Sequence, residues 1–333
     1  MKTKTNKVPL VGPKGRRELL DRIKELEKGG NSNKKTKITV QVYAYMLNED
    51  DEWISDVGAT GVLIVKGFSN SGETLPVREI SFTIPEESYF ATVEFDATIG
   101  DTIGIVGKIS GKGASCQLVQ KVVGPTTVNL EIYPAGIYEI SDGYLALNPS
   151  SDMYNGCAIV TEDFALALLP HQRDGWKGNT VQWGGMFQPI PFVLKTSDSN
   201  EVITDFDGAL NTAAILSVVK DTDCAARAAT IMPDPHYTRF GAFLPSAGML
   251  KYLYEHREEI NAFIEAETAE YTPEVDYQTI PNDIAPWSST DYAEENNAAI
   301  KAWFVFFSYN GVGYISRTEI NQAFAVCNFQ TVY

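Results

Sequence analysis

The chain is poor in the residues that most often do chemistry. It has three histidines in 333 residues. His171 stands in "LPHQRDGW", His236 in "PDPHY" and His256 in "YEHREE", and none falls in a metal-ligand spacing such as HExxH. His256 lies on the charged face of a helical stretch and is expected to be solvated. The four cysteines, Cys116, Cys157, Cys224 and Cys327, are far apart and form no CxxC pair. That argues against a zinc knuckle and a disulfide framework, and leaves buried free thiols as the expectation. There is no GxSxG elbow, no P-loop and no GxGxxG. "DFDGALN" (residues 205–211) has the carboxylates of an oxygen-rich turn, but it lacks the rest of a calcium loop and reads first as an Asp/Gly turn capping a helix. Acid pairs such as Glu294/Glu295 are ordinary on an acidic surface. An enzyme is therefore not expected, nor a cofactor or a metal.

Long apolar runs are missing too. No segment approaches the length needed to cross a bilayer, so no membrane span is expected. The basic start "MKTKTNKVPLVGPKGRRELL" lacks the apolar stretch and small-residue cleavage site of a secretory signal, and the expectation is synthesis in a cytoplasm without export.

Positive charge is scarce except at one end. Residues 1–37 hold 12 Lys/Arg against 4 Asp/Glu, and the remainder holds 15 against 39. The net charge of −16 thus hides a basic arm on an acidic body. An acidic body rarely binds nucleic acid, and no nucleic-acid partner is expected. A basic arm usually seeks an acidic surface, and Lys2, Lys4, Lys7, Lys14, Arg16 and Arg17 are the candidate anchoring residues. A solubilising tail is the alternative. Within "GRRELLDRIKELEKGG", Leu19, Leu20, Ile23 and Leu26 form one helical stripe, ended by Gly29 and Gly30. Twelve or so residues are too few for a stable isolated helix, so the stripe must pack, as a homotrimer or homodimer seam or on the next domain.

Apolar/polar alternation then appears. Residues 37–133 hold about seven short strand-like segments separated by Gly, Asn, Asp, Ser and Pro, which predicts an antiparallel sandwich. The pattern resembles small Ig-like spacer domains of the carboxypeptidase-regulatory-like group. From 134 on, "GIYEISDGYL" reads as a hairpin around Ser-Asp-Gly, "CAIVTEDFALALLP" as one or two strands, and residues 205–232 as a helix or two. "FLPSAGMLKYLYEHREEINAFIEAE" (243–267) reads as one long helix with Ser246 as N-cap and Leu250, Leu253, Tyr254, Ile260, Phe263 and Ile264 on its apolar face. Residues 287–329 return to strands. Trp303, Val305 and Phe307 alternate with Phe304 and Phe306, which predicts a strand buried on both faces, or on one face and in an interface.

The order "DGALNTAAI", "AARAA", "FLPSAGML", "WSSTDY", "AW", "NG" and a final strand resembles a family of C-type-lectin-like domains, Fibrobacter-paralogous-domain-like, common in Bacteroidales and their phages. The resemblance covers about residues 200–329, and "AFAVCNF" departs from the family's usual Arg-rich last strand. It implies an exposed ligand face formed by Tyr292, Asn296, Asn297, Ser308, Tyr309, Asn310, Tyr314, Ser316, Arg317, Thr318 and Asn321. Tyr offers contact area at low entropic cost, and Asn and Ser offer adaptable hydrogen bonds.

The expected fold class is mainly β with an α+β C-terminal domain. The expected organisation is an anchoring arm and helix (1–36), an Ig-like sandwich spacer (37–133) and a C-type-lectin-like display domain (134–333). The expected function is a virion component, a head or tail fibre or capsid decoration protein assembled in the host cytoplasm. Its expected partners are further copies of itself, capsid or tail proteins through the N-terminus, and a host-surface or mucus glycan or protein. A bacterial adhesin or variable receptor, a glycan-hydrolase tip and a purely structural virion protein are the alternatives.

Overall fold

A computed structural model describes residues 34–49, 52–141, 144–146, 154–168, 180–231, 241–270, 279–293 and 299–329. The basic arm and the stripe Leu19, Leu20, Ile23 and Leu26 lie outside the described residues. So do His171, His236, Asn296 and Asn297. The fold is mainly β.

The alternating segments form a two-sheet sandwich. β1 (Lys35–Leu47), β2 (Trp53–Ser55), β5 (Ala91–Thr98) and β9 (Thr126–Ile132) make one sheet. β3 (Thr60–Phe68), β4 (Arg78–Thr83), β6 (Thr102–Ile109), β7 (Gly113–Ala114) and β8 (Leu118–Lys121) make the other. Strand alternation sends every second side chain inward. Ile38, Val40, Val42 and Ala44 of β1 meet Leu63 and Val65 of β3 and Ile103 and Ile105 of β6 in one core. The sandwich departs from the all-antiparallel expectation at one place. β9 pairs parallel to β1, from Ile38↔Thr126 to Ala44↔Ile132, so the first and last long strands run side by side. The long excursion between them supplies the crossover a parallel pair needs.

The second half begins three residues after β9. β10 (Gly136–Ser141) and β11 (Tyr144–Ala146) pair antiparallel from Ser141↔Tyr144, as the hairpin reading expects. β12 (Tyr154–Val160) and β13 (Ala165–Leu168) extend that sheet, so "CAIVTEDFALALLP" is two strands. Short β14 (Thr180–Gln182) and β15 (Lys195–Thr196) follow, then α1 (Ser199–Val202), α2 (Gly208–Val218), α3 (Ala225–Ile231) and β16 (Ala242–Phe243).

The long helix expected over 243–267 is instead two, α4 (Ala247–Glu255) and α5 (Arg257–Glu270), divided at His256. The first starts where the sequence places its N-cap, at Ser246, whose backbone is extended with ψ 169°. Ser246 occupies the N-cap position but does not cap with its side chain, which donates instead to the Asp205 carbonyl at 2.6 Å. Thr290 Oγ1 accepts from the Ala247 N–H in its place, so a tertiary contact supplies the acceptor that a free helix end needs. Gly248 permits this close approach. A Cβ there would lie 2.6 Å from the carbonyl oxygens of both Ile203 and Asp205. Gly248→Ala is therefore expected to cost about 1–3 kcal/mol, read as a lower urea midpoint with unchanged slope. His256 is not simply solvated; its ring stacks on Tyr252 with centroids 4.1 Å apart.

The last strands are β17 (Trp287–Tyr292), β18 (Lys301–Phe306), β19 (Gly311–Ser316), β20 (Ile320–Gln322) and β21 (Val326–Cys327). β15, β17, β18 and β19 form one sheet, and β21 with β16 completes the sheet of β10–β13. β18 is buried on both faces, the first of the two arrangements its sequence allows. Trp303 and Val305 enter the core beneath α4 and α5, while Ala302 and Phe304 enter the core beneath α2 and α3.

The sandwich and the second half share packing. Tyr133 and Cys116 of the sandwich lie in one cluster with Ile140, Ala165, Cys327 and Phe329. Gln117, 4% exposed, donates to Asp207 and accepts from the Leu210 N–H, both at 2.8 Å. Lys66 pairs with Asp207 at 2.6 Å and Lys108 with Asp163 at 2.8 Å. The sandwich is thus docked on its neighbour rather than strung beside it. All four cysteines are free and buried, as expected.

Candidate functional site

The "WSST" stretch forms strand, and its residues are fully buried. Trp287 Nε1 donates to Val181 O at 2.9 Å and Ser288 Oγ to Trp303 O at 2.9 Å. Thr290 Oγ1 donates to the Asp205 carboxylate at 2.6 Å. That carboxylate also accepts from the Asp207 N–H at 3.0 Å and from Asn211 Nδ2 at 2.9 Å. "DFDGALN" is accordingly an internal buttress, with Asp205 and Asn211 holding β17 against α2 and the start of α4. Burial, with help from the nearby Asp207 carboxylate, pushes the Asp205 carboxyl up to about 6. Among the described residues, no group of three or more His, Cys, Asp or Glu is placed to hold a metal.

This buttress makes β17–β18–β19 a firm platform, and the polar residues singled out in the sequence divide around it. On one face, the Tyr292 and Tyr314 rings lie 4.0 Å apart, each 5.4 Å from the Trp303 ring. Lys301 Nζ lies over both, 5.4 Å from the Tyr292 centroid and 5.1 Å from that of Tyr314. The result is a cation–π ledge whose outer ring, Tyr314, is 44% exposed. Ser316 pairs with Lys301 in the ladder, and its hydroxyl is 2.8 Å from that of exposed Thr318.

On the other face, Tyr309 stacks on Phe306 at 4.4 Å, and Phe306 meets Phe304 edge-on at 4.4 Å. Gly313 opposite Phe304 leaves room for these rings; a Cβ there would come within 2.7 Å of Phe306. Tyr309 is 63% exposed at the β18–β19 turn. Beside it are exposed Ser308 and Asn310, the latter in the left-handed region with φ 55° and accepting from Lys251 Nζ at 2.6 Å. Asn321 sits apart on β20, half-buried and opposite Val181.

Arg317 requires a correction. It is not on an exposed face but fully buried, and it is the hub of the region. Its Nη2 donates to Asp291 at 2.5 Å, its Nη1 to the carbonyls of Gly185 (2.8 Å) and Gln188 (3.1 Å), and its Nε to Lys301 O (3.3 Å). Its guanidinium also lies 4.3 Å from the Trp183 ring centre. Burial pushes the Asp291 carboxyl up, with the Arg317 charge pulling the other way.

Sequence reasoning missed Lys301. It lies two residues before Trp303, so strand alternation puts both on one face, and that signal was available. The same rule sets Arg317 with inward Ile315, opposite Tyr314 and Ser316.

The geometry suits binding. Aromatic rings, a cation and short polar side chains are carried on a strand packed from both sides, which limits the entropy lost on contact. No helix among the described residues is long and apolar enough to cross a membrane. No protein-family model matches the chain, and no curated protein matches it. Among solved structures, a fimbrial protein from Bacteroides ovatus ATCC 8483 aligns with a TM-score of 0.40 and 12% identity, over 88% of this chain and 71% of that one.

Proposed function

We propose that this chain is a non-enzymatic recognition protein that presents the β17–β19 platform and its turns to a surface partner. The observation that carries the reading is the Tyr314/Lys301/Tyr292 ledge, with Tyr314 exposed and the other two half-buried, backed by a strand whose two faces are both core. In the fuller form of the proposal, the sandwich is an Ig-like unit and the C-terminal half a C-type-lectin-like display domain. The basic arm docks on an acidic capsid or tail surface, and Leu19, Leu20, Ile23 and Leu26 associate copies of the chain. The protein is then a head or tail fibre, or a decoration protein, of a virion, and its partner is a host-surface or mucus glycan or protein. Support for this form comes from the opposite charges of arm and body and from the paired "LPSAG" and "WSST" segments. Several weak copies gain strength together through multivalency.

The test is binding of the full chain to host cells. Joint Tyr309→Ala and Tyr314→Ala replacement is expected to lower binding at least about tenfold, as loss of exposed aromatic anchors does. Thermal unfolding is expected to remain close to that of the parent chain. Undiminished binding by this variant rejects the recognition face. Deleting residues 1–36 is expected to abolish incorporation into particles while the rest stays folded, and normal incorporation rejects the anchoring role.

A further inference from the structure

The described lysines after Thr36 sort by what they meet. Lys37, Lys66, Lys108, Lys112 and Lys251 each pair with a carboxylate. Lys301 lies over two tyrosine rings. Three remain without a carboxylate partner among the described residues, Lys121, Lys195 and Lys220, and all three line one groove. In a body with 39 acids against 15 bases after residue 37, three such cations on one groove make a local positive patch. The carboxylates adjoining them are otherwise engaged. Asp101 is buried and accepts from the Asn70 backbone, Asp221 accepts from the Gly185 N–H at 3.2 Å, and Asp291, which feels the Lys195 charge without an ion pair to it, is held by Arg317.

The groove runs between the β3–β4 turn of the sandwich and the 189–195 segment of the second half. It consists of two adjoining cavities of about 490 and 360 Å³, which share Ser71, Gly72, Pro191 and Val218. These volumes are in the range of small-ligand sites. The floor is apolar, with Ile190, Pro191, Val193 and Val218, and the rim carries Ser69, Asn70, Thr102 and Ser217. Phe192, at its edge, is held in the left-handed region with φ 70°, a conformation that a bulky side chain adopts only under constraint.

We propose that this groove binds an acidic oligosaccharide. An apolar floor takes the C–H face of a sugar ring, hydroxyl and amide side chains take its hydroxyl groups, and the three ammonium groups, of which that of Lys220 also donates to the Ser217 carbonyl at 2.9 Å, take a carboxylate or sulfate. A densely charged polyanion such as a nucleic acid fits poorly, because the surrounding body is strongly acidic. This site lies apart from the tyrosine ledge and does not depend on it.

The experiment titrates the full chain with 3′-sialyllactose, a sulfated lactose and lactose itself. Saturation-transfer NMR detects binding and calorimetry measures it, at low salt and at about 0.5 M. Binding of at least one acidic probe is expected, with lactose at least about tenfold weaker and with affinity falling in salt. The two acidic probes separate carboxylate from sulfate recognition. Joint Lys121→Gln, Lys195→Gln and Lys220→Gln replacement, all at exposed positions, is expected to remove about tenfold or more of the affinity. Ser71→Trp, which fills the shared middle of the groove, is expected to do the same without changing charge. Lys37→Gln, an exposed lysine on β1 outside the groove, is expected to change nothing. Equal binding of acidic and neutral probes overturns the proposal. So does full affinity in the triple variant or in Ser71→Trp, and so does failure of both acidic probes to bind at millimolar concentration.

Discussion

Replacing Arg317 by methionine is expected to cost about 3–5 kcal/mol of stability, the usual result of removing one partner of a buried ion pair. The loss has two sources. Asp291, 1% exposed, loses its ion-pair partner and keeps only the weaker pull of Lys195. The carbonyls of Gly185, Gln188 and Lys301 lose the donor that joined the 183–188 loop to β17, β18 and β19. Burial already pushes the Asp291 carboxyl up, and without the guanidinium it rises further. A group whose folded pKa exceeds its unfolded one stabilises below the unfolded value and loses that contribution as pH rises through the folded value. The Arg317→Met defect is therefore expected to be smallest near pH 4 and largest at neutral pH. Adding Asp291→Leu is expected to recover part of it, since no charge then stays buried. Urea unfolding of the parent and the two variants at two pH values checks this. A change below about 1 kcal/mol in Arg317→Met, the scale of an exposed pair, removes the hub role.

The second large effect has the opposite sign. Asp205→Asn is expected to stabilise the protein at neutral pH. The Asp205 carboxyl stands at about 6 against an ordinary 3.8, chiefly through burial and then through Asp207. A raised carboxyl favours the fold below the unfolded value and opposes it as pH climbs past the folded value. Two pKa units correspond to about 3 kcal/mol, lost by the parent between about pH 4 and pH 7 relative to the asparagine variant. The asparagine can be accommodated. Its carbonyl still accepts from the Asp207 N–H, and with the Asn211 amide turned its NH2 can donate to Asn211 Oδ1, which is buried and has no hydrogen-bond partner in the structure; the Thr290 hydroxyl loses its acceptor, a cost of about 1 kcal/mol that is smaller than the gain. Asp205→Ala is expected to destabilise instead, because Thr290 and Asn211 lose their acceptor. Melting curves of parent and variant from pH 4 to pH 8 measure the difference. A constant gap across that range contradicts the assignment.

Much of the fold could be read from local pattern, because each sandwich strand buries one face and so writes its period into the sequence. β18 was legible for a related reason. Apolar side chains in consecutive positions leave no polar face, which only a strand between two layers tolerates. The parallel pairing of β1 with β9 was not legible, since it depends on which strand ends meet across about 90 residues. The division of the long helix at His256 was hidden because Leu253, Ile260 and Ile264 stay near helical phase across the break. Arg317 was misplaced for a different reason. "YISRTEI" has the polar composition of an exposed turn, and the carboxylate that draws Arg317 inward lies 26 residues earlier. The Asp205 buttress drew attention as a possible cation turn. Its true partners, Thr290 and Ser246, come from segments 41 to 85 residues away. Of the proposed face, Tyr292, Tyr309 and Tyr314 are exposed or half-exposed. Which tyrosines share a face follows only from the register of β18 with β19, although the spacing of Lys301 from Trp303 already put the lysine on the Trp303 face.

The measurement that tests the central claim most directly is cryo-electron microscopy of purified particles carrying this chain, with mass spectrometry to confirm its presence. The account predicts density for repeated copies, rooted at the N-terminal arm, with Tyr309 and Tyr314 facing open solvent at the distal side. Absence of the chain from particles, or a β17–β19 platform packed against neighbouring subunits, contradicts it.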